Sequence, residues 1–557
     1  VNKPIIHLVI TSFLLLAGEM LFPASAQLLT GKNKPTQADT VRGTYNANRS
    51  WWDVKYYRIT VRPEFETRSL SGNVSITFEV LEKHPGFMQI DLQEPLVIEA
   101  ILLDGIPLTY ERFEQAYLVR ISQNLPVGSE ATVTITYGGV PRAAVNPPWD
   151  GGLIWTLDKG GNPWISVACQ GLGASVWFPC KDHLRDEPDR GASISVMVPA
   201  NMINVSNGRF IRLTEGDNFK TYTWEVKNPI NNYNITLNAG NYIHFGETYE
   251  GLNGPLALDY WVLKENESQA RRHFPEQTRK MMRHFEYWFG PYPFYEDGFK
   301  LVETPFPGME HQSAIAYGNG FRNGYLGTDL SGSGWGLKWD YIIVHEAGHE
   351  WFGNHISVQD AADLWVHEGF TTYSEVLYVE SEFGKKAGGE YARGLRTNVM
   401  NDIPMIGVYG INREGSVDMY YKGVQLIHTY RQILGDDDKF RQMLHEMNRR
   451  FGMKTVTTDD VESLMEEFAG IPLQGFFDTY LRTTKVPRLE MKQMGKGKNA
   501  TWSMRFVEVK KGFRIPVLFT QNGVEYRETI GEEWSPVKIP VEKGMSPVPS
   551  PDYYIRH

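Results

Sequence analysis

Cysteine is nearly missing: Cys169 and Cys180 are the only two in 557 residues. Two thiols do not make a disulfide framework. They can pair in an oxidising compartment or stand as two separate buried thiols, and stability must come mainly from hydrophobic cores. Basic residues are in deficit as well, with 56 Lys and Arg against 66 Asp and Glu and a net charge of −10. No dense Lys/Arg stripe runs along the chain to track a phosphate backbone, which excludes nucleic acid as a partner. No long apolar run follows the first two dozen residues, so no stable membrane insertion is expected of the mature protein. Short-period repeats and low-complexity blocks are also lacking, and nothing in the pattern sets an oligomeric state. What remains is an ordinary globular composition, 41% hydrophobic and 22% charged, long enough for two or three domains.

The one long apolar run, IIHLVITSFLLLAGEMLF, follows Lys3 and ends at Pro23-Ala24-Ser25-Ala26-Gln27. A basic start, a short apolar core and an A-x-A-like end describe a secretory signal over 1–26, cleaved after Ala26. Glu19 interrupts the run, leaving it too short to span a bilayer comfortably. Export to a periplasm or the extracellular space is the expectation. Residues 27–50 are polar and aperiodic and read as a flexible leader. From Trp51 the period is two, with Val74, Ile76, Phe78 and Val80 and then Val133, Ile135 and Tyr137 alternating. Residues 51–246 are therefore expected to be an all-β domain. The period then becomes helical: Met281, Phe285, Trp288 and Phe289 share a face that Gly290-Pro291 ends, and Val461, Leu464, Met465 and Phe468 follow the capping Thr458-Asp459. Residues 247–485 read as an α-rich domain. Strands return over 486–557, including a hairpin turn at Asn522-Gly523. The fold class is multidomain α+β, in the order β, α-rich, β.

Residues 345–349 read His-Glu-Ala-Gly-His. On a helix, positions i and i+4 share a face, so both imidazoles can reach one ion. Catalytic zinc needs three protein ligands and an open position. Glu368, nineteen residues beyond His349 on a second helical pattern, is the natural third. Glu346 adjoins the first ligand and is free to act as a general base toward a water whose pKa zinc lowers. Glu375, two turns after Glu368, is placed either to hydrogen-bond a ligand imidazole or to sit on the surface. His355 and His367 are expected as neighbours rather than ligands.

The spacing of His345, His349 and Glu368 resembles the gluzincin zinc aminopeptidases, the group of aminopeptidase N and leukotriene hydrolase. Trp351-Phe352-Gly353-Asn354, Asp363-Leu364-Trp365 and Glu368-Gly369-Phe370 agree with that family. So does Gly308-Met309-Glu310-His311, about 35 residues upstream, which resembles the family's G-x-M-E-N motif with His in place of Asn. The resemblance implies that Glu310, with Gly308 and Met309 beside it, binds the substrate's free α-amine. It implies the same, as a helper, for Gln170. Tyr420-Tyr421-Lys422-Gly423 resembles the family's Tyr-x-Lys-Gly. Either tyrosine could be a packing residue, but the alignment to Lys422-Gly423 marks Tyr420 as the donor to the oxyanion.

The likeness covers nearly the whole mature chain. It implies a thermolysin-like catalytic domain holding one zinc ion, with 486–557 as a small β-sandwich-like module. The large helical C-terminal domain of many members is expected to be lacking. The expected activity is removal of single residues from peptides with a free N-terminus. An endopeptidase with the same metal, or a non-catalytic peptide-binding protein on this fold, are the rival readings.

Overall fold

A computed structural model describes residues 34–495, 500–542 and 544–557. The expected signal segment 1–26 lies outside the described residues. No helix among those described is long and apolar enough to cross a membrane.

The N-terminal domain is built on an eight-stranded sheet. Strand Ser69–Val80 lies inside it, antiparallel to Trp52–Glu64 on one side and Glu130–Gly139 on the other. The two-residue period sends Val74, Ile76, Phe78 and Val80 into the core, all fully buried. Between them, Ser75 and Thr77 face outward and bond Thr134 and Thr132 across the strands. A four-stranded sheet, containing Pro163–Ala168 and Leu237–Gly240, and a three-stranded sheet complete the domain around one core.

Two segments pack differently from their expected surroundings. The hairpin Tyr242–Gly251 and Gly254–Leu263 belongs to a separate five-stranded mixed sheet with Phe299–Glu303, Ile315–Tyr317 and Gly308–Met309. Its Phe245, Leu256 and Tyr260 pack with the helix Glu267–Phe289, while Tyr242 and Leu263 at its open end stay in the core of the β domain, so the hairpin bridges the two domains across the expected boundary at 246. Residues 34–50, expected as a loose leader, instead form two short helices, Gln37–Gly43 and Ala47–Ser50. The reason is electrostatic rather than hydrophobic. Arg49 is fully buried and donates at 2.7 Å to Asp91, itself fully buried, so the segment is tied to the β domain by a desolvated ion pair.

The α-rich domain stacks helices against the five-stranded sheet. Thr458–Ala469 is capped by Thr457, one residue before the expected cap, and Asp460 completes the reciprocal bond. Gly470 ends it in the left-handed region. Two three-stranded sheets close the chain. Their hairpin turns at Asn522-Gly523, both with positive φ. Phe506 and Phe519 of these sheets, with Phe513 just before the second, share one core with Phe476 and Tyr480 of the helices, so the C-terminal strands pack as an extension of the helical domain. Cys169 and Cys180 are separate buried thiols, and burial pushes both thiol pKa values up.

Candidate active site

The apolar run Tyr341–Val344 buries one end of the ligand helix, Tyr341–Gly348, and Asp340 caps it through the amides of Ile342 and Ile343. His345 and His349 therefore leave the same face one turn apart. The chain returns through the short strand Ile356–Val358 and one 3₁₀ turn into Trp365–Phe383, whose first turn carries Glu368. His345 Nε2 lies 3.8 Å and His349 Nε2 3.4 Å from Glu368 Oε2, and all three residues are buried.

The opposite edge of each ring fixes its tautomer. His345 Nδ1 meets Glu375 Oε1 at 2.6 Å, and Tyr391 holds the other oxygen of Glu375 at 2.7 Å. His349 Nδ1 meets the Phe352 carbonyl at 3.0 Å. Both Nδ1 atoms thus carry the proton, leaving both Nε2 lone pairs to converge on a Glu368 oxygen that has no hydrogen-bond partner among the described residues. Two bare imidazole nitrogens and one orphaned carboxylate oxygen, mutually within 4.8 Å, fit a zinc ion with a fourth position open.

The charge balance agrees. Burial would pull the His349 pKa down, but Glu368 beside it, then Glu310 and Glu346, push it up to about 10, so a proton competes with a metal ion for the Nε2 lone pair. Burial would raise Glu368, yet His349 holds it down to about 2. This excess of buried negative charge is what a bound dication neutralises. Glu346 stands apart from the three: burial pushes it up to about 7, against the pull of His345 and His349. A proton acceptor near neutrality is what general-base chemistry at pH 7 needs.

Glu310 follows the edge strand Gly308–Met309 at the cleft floor and is grouped with Glu346 and His349 within 4.8 Å. Its Oε1 accepts from Gln170 Nε2 at 2.6 Å and from Tyr233 OH at 3.0 Å. Gln170 Nε2 also lies 3.3 Å from Glu368. Gly308 backs directly on Glu346, where a side chain would come within 2.5 Å of its carboxylate. Tyr420 and Tyr421 both line the cleft, which has a volume of about 350 Å³. Tyr420 is the one that adjoins Glu368, its ring 6.2 Å from His345.

A contact between glycines brings Tyr420 there. A Cβ on Gly423 would lie 2.9 Å from the Cα of Gly369, so helices Trp365–Phe383 and Asp418–Leu434 touch backbone to backbone. Lys422 is buried and donates to the Thr483 carbonyl, away from the cleft. Among the described residues, His311 and His367 are buried with no hydrogen-bond partner on either ring nitrogen, and His355 meets Asn448; none reaches the ligand trio.

Sequence reasoning missed Tyr233, Tyr391, Thr371 and Asn354. Thr371 Oγ1 bonds the Phe352 carbonyl that holds His349, and Asn354 Nδ2 donates to the Glu310 carbonyl at 2.9 Å. Asn354 lay within a quoted motif. Tyr233 and Tyr391 carried no local signal, since each acts on a residue far away along the chain.

This geometry is that of a zinc metallohydrolase. Residues 54–233 match the Peptidase M1 N-terminal domain and 275–480 the Peptidase family M1 domain. The chain belongs to peptidase family M1. It is 23% identical to aminopeptidase M1-B of Oryza sativa subsp. japonica, over 79% of this chain and 50% of that protein. It is also 23% identical to leukotriene A-4 hydrolase of Xenopus laevis, over 75% and 68% of the two chains. The chain spans about half the length of the rice protein and of aminopeptidase N of Lactococcus lactis subsp. lactis, to which it is 24% identical. The fold is similar to that of the M1 zinc metallopeptidase of Deinococcus radiodurans, solved as a mutant bound to a Tyr-Ser-Ala substrate. There the TM-score is 0.65 and the identity 21%, over 79% of this chain and 96% of that one.

Proposed function

We propose that this chain is an exported zinc aminopeptidase that removes one residue at a time from peptides with a free N-terminus. The observation that carries the reading is the placement of Glu310, with Gln170 and Tyr233 on one of its oxygens, beside the His345–His349–Glu368 trio. A carboxylate fixed there pairs with an ammonium one residue upstream of a carbonyl at the metal position. Names among the relatives support this reading, as does a solved neighbour bound to a short peptide.

Zinc, when bound, polarises the scissile carbonyl and lowers the pKa of a water. The chain's own residues do the rest. Glu310 and Gln170 hold the amine and so fix the register of the peptide. Glu346 takes a proton from the attacking water and returns it to the leaving amine. The Tyr420 hydroxyl donates to the carbonyl oxygen as negative charge builds on it. Glu375, oriented by Tyr391, keeps His345 in its ligating tautomer.

Export rests on residues 1–26 alone. Mass spectrometry of protein recovered outside the cytoplasm should give a chain beginning at Gln27; an unprocessed intracellular chain would contradict export. The activity is tested by incubating the zinc-loaded protein with an unblocked pentapeptide. One free amino acid and a tetrapeptide should appear first, whereas internal fragments as first products would contradict the reading.

A further inference from the structure

A second, smaller cavity lies directly behind the amine side of the cleft. Its volume is about 40 Å³, and it is lined by Gln170 and Tyr233, by Asp360 and Asn412, and by Arg42 and Gly43. Gln170 and Tyr233 are the two donors to Glu310, so this cavity begins where the amine pair ends. Arg42 and Gly43 belong to the segment that precedes the β domain, and that segment is docked on both domains.

On the β-domain side, Arg49 bonds Asp91 at 2.7 Å and also the carbonyls of Arg42 and Thr44. Gln89 Nε2 donates to the Val41 carbonyl, and Arg42 lies 3.8 Å from Asp182. On the catalytic side, the Asn412 amide donates to the Asp39 carbonyl at 3.0 Å, and the Thr44 hydroxyl donates to the Gly410 carbonyl at 3.0 Å. Gly43 sits so close to the backbone of Ile411 and Asn412 that a Cβ would lie 2.1 Å from each. The turn it presses on is held from behind by Asp360 and Asp363, which accept from Gly410 and Tyr409. Asn412 Nδ2 reaches the Gly171 carbonyl, next to Gln170.

We propose that Gln37–Tyr45 is a strap that walls off the amine end of the cleft. It leaves room behind Glu310 for water or part of one side chain, and none for a further residue or a blocking group. Charge alone favours an ammonium over a neutral amide. A wall excludes anything bonded to that nitrogen, which makes the strap a second and independent determinant of specificity. The inference rests on the aminopeptidase reading.

The test uses the zinc-loaded full chain and two probes, leucine hydroxamate and N-acetyl-leucine hydroxamate, with binding measured by calorimetry. Gly43→Val drives a side chain into the Ile411–Asn412 backbone, and the double variant Asp39→Ala/Thr44→Ala removes the Asp39 carboxylate, 4.0 Å from Arg413, and the Thr44 hydroxyl that donates to the Gly410 carbonyl. Thermal unfolding establishes that each variant folds, and trypsin cleavage after Arg42, which is 10% exposed while docked, reports undocking. With Arg42 open to trypsin, affinity for the acetylated probe should rise about tenfold or more while that for the free amine holds within about twofold. Unchanged discrimination with the strap undocked overturns the proposal. Arg42 staying closed in both variants also overturns it, because the strap is then not held by these contacts. Equal binding of both probes by the unaltered enzyme contradicts the amine pair itself, a different failure.

Discussion

Glu346 shares the site with three other glutamates but has neither a place among the ligands nor an amine to hold. Its replacement by Gln keeps the shape and removes the proposed base. Glu346→Gln should retain zinc stoichiometrically and lose about 10²–10⁴ of its turnover; an active variant would exclude it as the base. Glu375 acts one bond further out. Glu375→Ala frees His345 to rotate and change tautomer, and zinc affinity should fall by about 10–100-fold in a chelator titration. Unaltered affinity would return Glu375 to the role of a buried structural acid.

His311 supplies a pH signature away from the ligands. Burial without a hydrogen-bond partner lowers its pKa to about 3, whereas an unfolded chain protonates histidine near ~6.5. Between those values the unfolded state binds the extra proton, so stability is full above ~6.5 and declines as pH falls toward 3. His311→Asn deletes that dependence. The stability of the variant relative to wild type should rise by about 1.4 kcal/mol for each pH unit below ~6.5, as read by urea unfolding. A difference that stays flat from pH 7 to 5 would mean that His311 is not held neutral.

At the scale of elements, the site is set by how two helices touch. Gly369 and Gly423 let the helix carrying Glu368 meet the helix carrying Tyr420 at backbone distance. Gly423→Ala gains about 1 kcal/mol of helix propensity. It must also place a methyl 2.9 Å from the Gly369 Cα, and overpacking of that kind costs about 1–3 kcal/mol. A lower Tm is expected, together with a fall in kcat larger than any change in KM, because Tyr420 rides on the displaced helix. A raised Tm with kcat intact would show that the crossing has slack. The motif words Glu368-Gly369 and Lys422-Gly423 thus contain both the chemistry and the packing that presents it.

At the scale of the whole molecule, legibility followed locality. His345, His349 and Glu368 were readable because helical period and loop length act over tens of residues. The alternation around Val74 and the turn at Asn522-Gly523 were readable for the same reason. Glu310 was placed by a resemblance rather than by spacing, since no local rule links an edge strand to a helix 35 residues on. Tyr233 and Tyr391 were not readable: their hydroxyls meet partners that only tertiary folding brings near. The segment 34–50 misled because its polar composition hides Arg49, whose burial depends on Asp91, 42 residues away. The hairpin from Tyr242 alternates like the strands before it, yet pairs into a different sheet, which local pattern does not reveal.

In the proposed function one carboxylate, Glu310, makes a metal hydrolase into a remover of first residues. The most direct measurement compares hydrolysis of one peptide with a free and with an acetylated N-terminus, each with and without a chelator. Release of the first residue from the free peptide only, abolished by chelation and restored by zinc, is the expected result. Internal cleavage of both forms at similar rates would contradict it.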